Sequence, residues 1–419
     1  MVLAAWGRAF TLLTAATGLS ACVADPNAGG YNQPIGLNAS GGTARAAPGG
    51  EVPGHRVAIL LPLTGPNADV GQALLRAAQL SLAQPGSPPL DARDTAGTPG
   101  GAADAARAAL AGGAGIILGP LTAGETGTVA PIAVAAGVPV LAFTSDVTKA
   151  QPGVWTLGIT PGQQVRRLVL AVQAEGKTRL AAVVPSNAFG DALASGMTAA
   201  ATEASLPPPQ VERYSNGFTG LTASLKTVAD YASRRGAIEA RQRAARAAPT
   251  DPAAAPSPDA PPPPPIDALL LGASGPQLGQ AAPLLTFYDI GPGQVRILGP
   301  ATWAREGAQL GTLSGAWYAV PDPAQRAAYE QQYTAKYGAP PRDLTDLAYD
   351  AAGVARAVAD NTGFAGPALT RGQGFTGVDG LFSLLPDGQV RRGLAIFEID
   401  KGGSHIVQPA PASMAAPGS

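Results

Sequence analysis

AILLPLTGPNADVGQALLRAAQLSL, residues 58–82, is the stretch that decides the fold. Its start belongs to a continuous apolar run, VAILLPL (57–63), with no polar alternation. Such a run reads as a strand buried on both faces. Thr64-Gly65-Pro66 then breaks it, and Gly and Pro are the strongest local punctuation. Beyond the break, Leu74, Leu75, Ala78 and Leu82 recur at helical spacing and predict a helix over 71–83. Strand, Gly-Pro turn and helix make half of a βαβ unit. A chain that repeats it builds a parallel sheet covered by helices.

The chain does repeat it. Strands are expected at LDARD (90–94), GIILG (115–119) and VPVLAF (138–143), with helices over 101–111 and 124–136 between them. The pattern restarts with a helix over 162–175 and strands RLAAVVP (179–185) and VERY (211–214), with a helix over 191–205 between them. A long helix from Leu221, the strand DALLLG (267–272), a helix over 275–288 and the strand VRILG (295–299) follow. WYAVP (317–321), helices over 323–337 and 344–361, and a closing hairpin of GLFSLL (380–385) with GLAIFEI (393–399) complete the series. Pro386-Asp387-Gly388 supplies its turn. The expectation is an α/β protein of two lobes, each a mainly parallel sheet flanked by helices.

Composition excludes several functions. Among 419 residues there are 54 Gly and 41 Pro, and only 14% are charged, against about 25% in a typical soluble protein. One Cys permits neither an internal disulfide nor a CxxC metal site. Two histidines, His55 and His405, leave little for zinc ligation or imidazole acid/base work. A net charge of −1 gives no field to attract nucleic acid. No nucleophile elbow, SxxK or P-loop is present, and no cofactor or metal is expected. Asp91, Arg93, Asp94 and Thr95 read as a salt-bridged strand edge and turn rather than a catalytic carboxylate pair, and Gly97–Gly101 as a turn and helix start.

The N-terminus reads as an export signal. Arg8 precedes an apolar run over 9–19, too short to span a bilayer and the right length for a signal-peptide core. The run ends in Leu19-Ser20-Ala21-Cys22, which looks like a bacterial lipobox, and the lone Cys of the chain falls there. Residues 1–21 are thus expected to be a signal peptide and Cys22 a lipid attachment point anchoring the chain to a membrane. Val23 rather than Asp follows Cys22, which favours the outer over the inner membrane. Residues 22–53 read as a tether, since 23–53 carry 7 Gly and 4 Pro without apolar periodicity. A second irregular stretch, 233–265, joins an Arg-rich helix end (Arg234, Arg235, Arg241, Arg243, Arg246) to nine Pro within 247–265. It reads as a solvated helix end running into an insertion, or else as a basic, Pro-rich contact for an envelope partner.

From AILLPLTGPNADVGQALLRAAQLSL onward the sequence resembles a known family. DTAGTPGGAADAARAAL, GIILGPLTAG, AGVPVLAFTSD and GFTGVDGLFSLLPDGQVRRGLAIFEI carry the same resemblance. The chain is similar to type I periplasmic binding proteins of the leucine-binding kind and, more narrowly, to the LpoA-like penicillin-binding protein activators. The resemblance implies two lobes joined by three crossovers, with a cleft between them. Chain order places lobe one at 54–160 plus 299–362 and lobe two at 161–298 plus 363–409, followed by a disordered tail at 410–419. LpoA-like activators often carry a helical-repeat domain ahead of this fold, whereas here the tether precedes it.

In open parallel sheets, ligands bind beyond the carboxyl ends of the strands. The residues placed there are Thr64, Gly65, Thr122, Thr144, Ser145, Asp146, Phe189, Ser274 and Trp303. The resemblance implies a cage for an amino acid, and the cage is degraded. Thr122 keeps a hydroxyl but its neighbour is Ala123; Phe189 stands where the family has a tyrosine; Gly272-Ala273-Ser274-Gly275 replaces a tyrosine-rich loop. Ala301 follows Gly299-Pro300 where the family has the ammonium-holding acid, with Trp303 and Glu306 as nearby substitutes. Losing one charged partner of a buried pair costs about 2–5 kcal/mol, roughly 30- to 4,000-fold in affinity. The expected function is therefore a non-enzymatic envelope lipoprotein that activates or positions a penicillin-binding protein. The alternative is a solute receptor of an ABC transporter that binds a small ligand in the cleft. The expected compartment is the periplasm, with a lipid anchor.

Overall fold

The computed structural model describes residues 54–215, 217–247, 262–306, 311–359, 364 and 366–414. The signal peptide, Cys22, the tether and most of the Pro-rich stretch lie outside the described residues. No helix among the described residues is long and apolar enough to cross a membrane.

The first lobe is built as the opening stretch requires. Strands β1 (Arg56–Leu61), β2 (Leu90–Asp94), β3 (Ala114–Leu118), β4 (Val140–Ala142) and β5 (Val154–Thr156) form a parallel sheet in the order β2-β1-β3-β4-β5. Helices α1 (Ala68–Ser81), α2 (Pro99–Ala111) and α3 (Ala123–Ala135) make the connections. Successive residues of β1 point to opposite faces. Val57, Ile59 and Leu61 enter one core with Leu74 of α1, while Ala58 and Leu60 enter another with Ala102, Ala106 and Val129 of α2 and α3. All five are fully buried. Each large side chain gains about 1.5–3 kcal/mol over exposure, which is why the run carries no polar residue. Edge strand β2 is polar, and Arg93 pairs with Asp91 at 2.9 Å.

The chain then crosses over at 157–160 into the second lobe. There α4 (Pro161–Ala174), β6 (Leu180–Pro185), α5 (Ala188–Glu203), β7 (Gln210–Tyr214), α6 (Gly217–Val228), α7 (Tyr231–Ala247), β8 (Ala268–Leu271), α8 (Pro276–Phe287), β9 (Arg296–Gly299), α9 (Trp303–Glu306) and β10 (Trp317–Val320) follow in order. A second crossover at 321–322 returns it to α10 (Pro323–Tyr337), α11 (Thr345–Val358), α12 (Gly366–Leu369) and an antiparallel sheet of β11 (Phe375–Gly377), β12 (Gly380–Leu384) and β13 (Val390–Arg392). A third crossover, Gly393-Leu394, leads to β14 (Ala395–Asp400) and β15 (Gly403–Gln408), which close the second sheet as β15-β14-β10-β9-β8-β6-β7.

Several sequence expectations need correction. The return to lobe one comes after β10, near Pro323, not at 299. Leu298 and Trp317 are buried in the second-lobe core, and β9 and β10 pair with each other in that sheet. Phe364 and residues 366–392, placed in lobe two by the sequence, belong to lobe one, since Phe364, Leu369, Phe375, Phe382, Leu384 and Val390 share the core of Ile59 and Leu74. The closing hairpin is β12 with β13. The run 393–399 instead crosses lobes and pairs antiparallel with β10, because Ala395, Ile396 and Ile399 are buried beside it. The long helix from Leu221 is two helices, broken at Asp230, which takes a left-handed φ of 46°. Arg234 is not solvated: only 6% exposed, it donates to the carbonyls of Pro262 and Tyr288. Residues 410–414 are ordered against the protein. Met414 is buried, and Pro411 lies close to Gly393.

Candidate functional site

The carboxyl-end loops of the first sheet carry the hydroxyls named above, and most of them are engaged internally. Thr64 Oγ1 donates to Asp94 Oδ2 at 2.6 Å, and the Leu63 and Thr64 amides donate to Asp94 Oδ1. Burial raises the Asp94 pKa, but these donors and the Ala96 amide outweigh it and hold the carboxyl below its usual range. Gly65 beside them has a φ of +82°, which only Gly adopts readily.

Thr122 is the N-cap of α3 in a full capping box. Its Oγ1 donates to Glu125 Oε2 at 2.8 Å and accepts the Glu125 amide at 3.2 Å. Thr95 Oγ1 donates to the other oxygen, Glu125 Oε1, at 2.5 Å. Thr122→Ala is expected to lower stability by about 0.5–2 kcal/mol, readable as a shift of the urea midpoint. If Thr122 instead served a ligand, the midpoint would stay put. Thr144 Oγ1 accepts the Asp146 amide at 3.1 Å, and Asp146 Oδ1 accepts the hydroxyl and amide of Thr148. The Thr148 hydroxyl, working against burial, holds Asp146 below the usual carboxylate range.

The second lobe contributes less than expected. Phe189 packs half-buried against the core of Val165 and Leu193, and Ser274 is half-buried ahead of Gly275. Trp303 is not a cleft residue. It is fully buried, its Nε1 donates to the Ala273 carbonyl at 2.9 Å, and a Cβ on Gly299 would overlap its ring. Glu306 Oε2 accepts the Gly275 amide at 2.6 Å. At the position of the missing acid, the Ala301 amide donates to Gln164 Oε1 at 2.9 Å.

Space remains at the crossovers. A cavity of about 620 Å³ is walled by Phe143, Thr144, Ser145, Gly158 and Ile159 on one side and by 321–323, Arg326, Asp346 and Asp379 on the other. Of the nine residues named from the sequence, only Thr144 and Ser145 line it. The structure therefore brings two of them together; Thr64, Gly65, Thr122, Asp146, Phe189, Ser274 and Trp303 fall outside this wall.

Sequence reasoning missed the charged wall. Arg326 on α10 reaches Glu330 Oε1 at 3.1 Å, Asp379 Oδ1 at 3.2 Å and Asp346 Oδ1 at 3.3 Å. Burial lowers the Arg326 pKa, but the three carboxylates overcome it and raise it. Burial, then the neighbouring Asp346 carboxylate, push Asp379 upward. One turn along α11, buried Asp350 is pushed up to about 7, chiefly by desolvation. Its Oδ1 accepts the Val378 amide at 2.7 Å, while Oδ2 has no partner among the described residues. Thr-Asp-Leu (345–347) and Val-Asp-Gly (378–380) read in sequence only as a helix start and a turn. No local signal joins two acids 33 residues apart to one Arg.

The profile of the periplasmic binding protein family matches residues 55–404. No curated protein sequence matches the chain at a significant level. Among solved structures, full-length LpoA from Haemophilus influenzae superposes with a TM-score of 0.62 at 15% identity, over 84% of this chain and 59% of that one. The present chain thus spans well under two thirds of that protein. The LpoA C-domain from the same organism, a regulator of PBP1A, superposes with a TM-score of 0.59 at 15% identity, over 84% of this chain and 99% of that domain. A branched-chain amino acid ABC transporter periplasmic ligand-binding protein from Burkholderia xenovorans gives 0.56 at 15% identity, over 86% and 97%. At such identities these likenesses establish the fold. With that fold, its three crossovers and a profile match over most of its length, the chain belongs to the periplasmic binding protein family, with the type I two-lobed architecture.

Proposed function

We propose that this chain is a non-enzymatic periplasmic lipoprotein, anchored through Cys22 in the outer membrane. In this reading it activates or positions a peptidoglycan-synthesising penicillin-binding protein by direct contact. It would bind one conformation of the synthase better than another and shift its population toward that state. The observation that carries this reading is the spent cleft. The Thr64 and Thr122 hydroxyls close onto Asp94 and Glu125, the amide at Ala301 is taken by Gln164, and Trp303 is walled into the core. A carboxylate and an ammonium would find few free partners there. The fold likeness to the C-domain of LpoA supports the choice of partner class.

A second reading, a solute receptor working by lobe closure, draws on the cavity beside Thr144 and Ser145. Calorimetry of the full chain against an amino-acid and peptidoglycan-fragment panel separates the two. The contact reading expects no ligand tighter than about 10 μM. A ligand below that level that also closes the lobes would overturn it.

A further inference from the structure

The three crossovers converge on one buried group of charges. Arg392 is the last residue of β13, directly before the third crossover. It is 3% exposed, and its Nη2 donates to the carbonyl of Leu157, in the first crossover, at 2.7 Å. Its Nε and Nη1 have no partner among the described residues. Arg326 lies one turn into the helix that begins after the second crossover. The charged groups acting on Asp350 besides Arg392 are Asp346 from α11 and Asp379 from the turn before β12, both of them bonded by Arg326 of α10, while the Phe382 ring of β12 lies 5.1 Å from the Arg392 guanidinium.

Arg326 is committed to Glu330, Asp346 and Asp379. Arg392 is then the cation left for Asp350 among the described residues, and its charge is the strongest one acting on that carboxyl. Yet no ion pair within 4.0 Å joins the two. Both hold unpaired, buried polar atoms, an arrangement that is costly unless something compensates. The carboxyl cannot retreat, because the Val378 amide holds Oδ1 and the Gly377 backbone stands against Oδ2. Arg392 has the longer side chain, and its Nε and Nη1 are unpaired among the described residues.

We propose that Asp350 and Arg392 form a proton-sensitive latch on the lobe hinge. With Asp350 protonated, Arg392 holds the Leu157 carbonyl and ties the first crossover to the third. With Asp350 ionised, the guanidinium turns to the carboxylate and lets that carbonyl go. The buried setting of Asp350, which raises its pKa to about 7, puts the changeover near neutral pH. The sign follows from proton counting. The folded chain holds a proton that the unfolded chain, at its ordinary 3.8, has already lost. The tied form is therefore favoured below the changeover, and this contribution to stability is lost as pH rises through it. The latch acts on hinge freedom, whether or not the cleft takes a ligand.

The test is an interlobe distance. Spin labels are placed on the full chain carrying Cys22→Ser, Gln84→Cys in the turn after α1, which is exposed, and Lys177→Cys in the turn after α4, which is half-buried. Pulsed dipolar spectroscopy then follows the distance distribution from below to above about pH 7. The latch expects a narrow distribution at low pH that broadens or shifts with a midpoint near 7. Asp350→Asn, a neutral isostere of the protonated acid, should stay in the low-pH form throughout. A wild-type distribution unchanged across the range, or an Asp350→Asn chain that titrates like wild type, would overturn the proposal. Carbon-13 NMR of aspartate-labelled wild type needs no core variant. A resonance assigned to the Asp350 carboxyl that titrates near 7 supports the latch, and titration of Asp350 in the ordinary carboxylate range contradicts it.

Discussion

Arg326→Met is expected to destabilise the protein by about 3–5 kcal/mol at about pH 8, and by distinctly less at about pH 5. The Arg side chain is 23% exposed, while those of its partners Asp346 and Asp379 are only 8% and 5% exposed. Taking away the cation leaves two carboxylates side by side in a poorly solvated wall. Their remaining relief is to bind a proton, so the Asp379 pKa, already raised by burial and by Asp346, rises further in the variant. The folded variant then binds protons that its unfolded chain does not, and its stability falls as pH rises through the folded value. Arg326→Lys keeps a charge but cannot reach three acceptors with one planar group, and should fall between. Urea midpoints at the two pH values check this; a small or pH-independent loss would show that the cluster is solvated.

Trp303→Ala should cost at least as much, about 3–5 kcal/mol from cavity formation alone. The ring is fully buried among the side chains of lobe two and packs directly against Gly299, which leaves no room to collapse into the void. The substitution also orphans the buried Ala273 carbonyl, worth a further ~1–3 kcal/mol. Trp303→Phe restores most of the volume and leaves the carbonyl bare, so it should lose only the smaller amount. This pair of variants separates a core role from a ligand-binding one. A cleft residue would leave the urea midpoint nearly unchanged and alter binding instead.

Trp303 also marks where sequence reading reaches its limit. Its place four residues beyond Gly299 put it near a strand end, and strand ends face the cleft. What turned it inward is Gly299 itself, whose missing Cβ makes room for the indole, a contact that no local pattern reports. The strand–turn–helix rhythm was legible because burial on both faces of a parallel sheet demands uninterrupted apolar residues, as in β1, β3, β6 and β8. Strands β5, β11 and β13 were not, since three residues carry no period; β4 is equally short and was read only because it lies inside the longer apolar run 138–143. The run 393–399 looked like one arm of a hairpin because its apolar content is the same whichever sheet receives it. The Thr122 cap was readable from Thr-x-x-Glu spacing, whereas the Arg326 cluster needed three separate chain segments to meet.

In the function proposed above, the chain acts by touching a synthase. The most direct measurement is the rate of peptidoglycan cross-linking by a purified penicillin-binding protein from the same cell, with and without the full chain. The rate is expected to rise with added chain and to saturate at a fixed ratio of the two proteins, with no amino acid required. A rate unchanged at saturating chain, for every penicillin-binding protein of that cell, would contradict it.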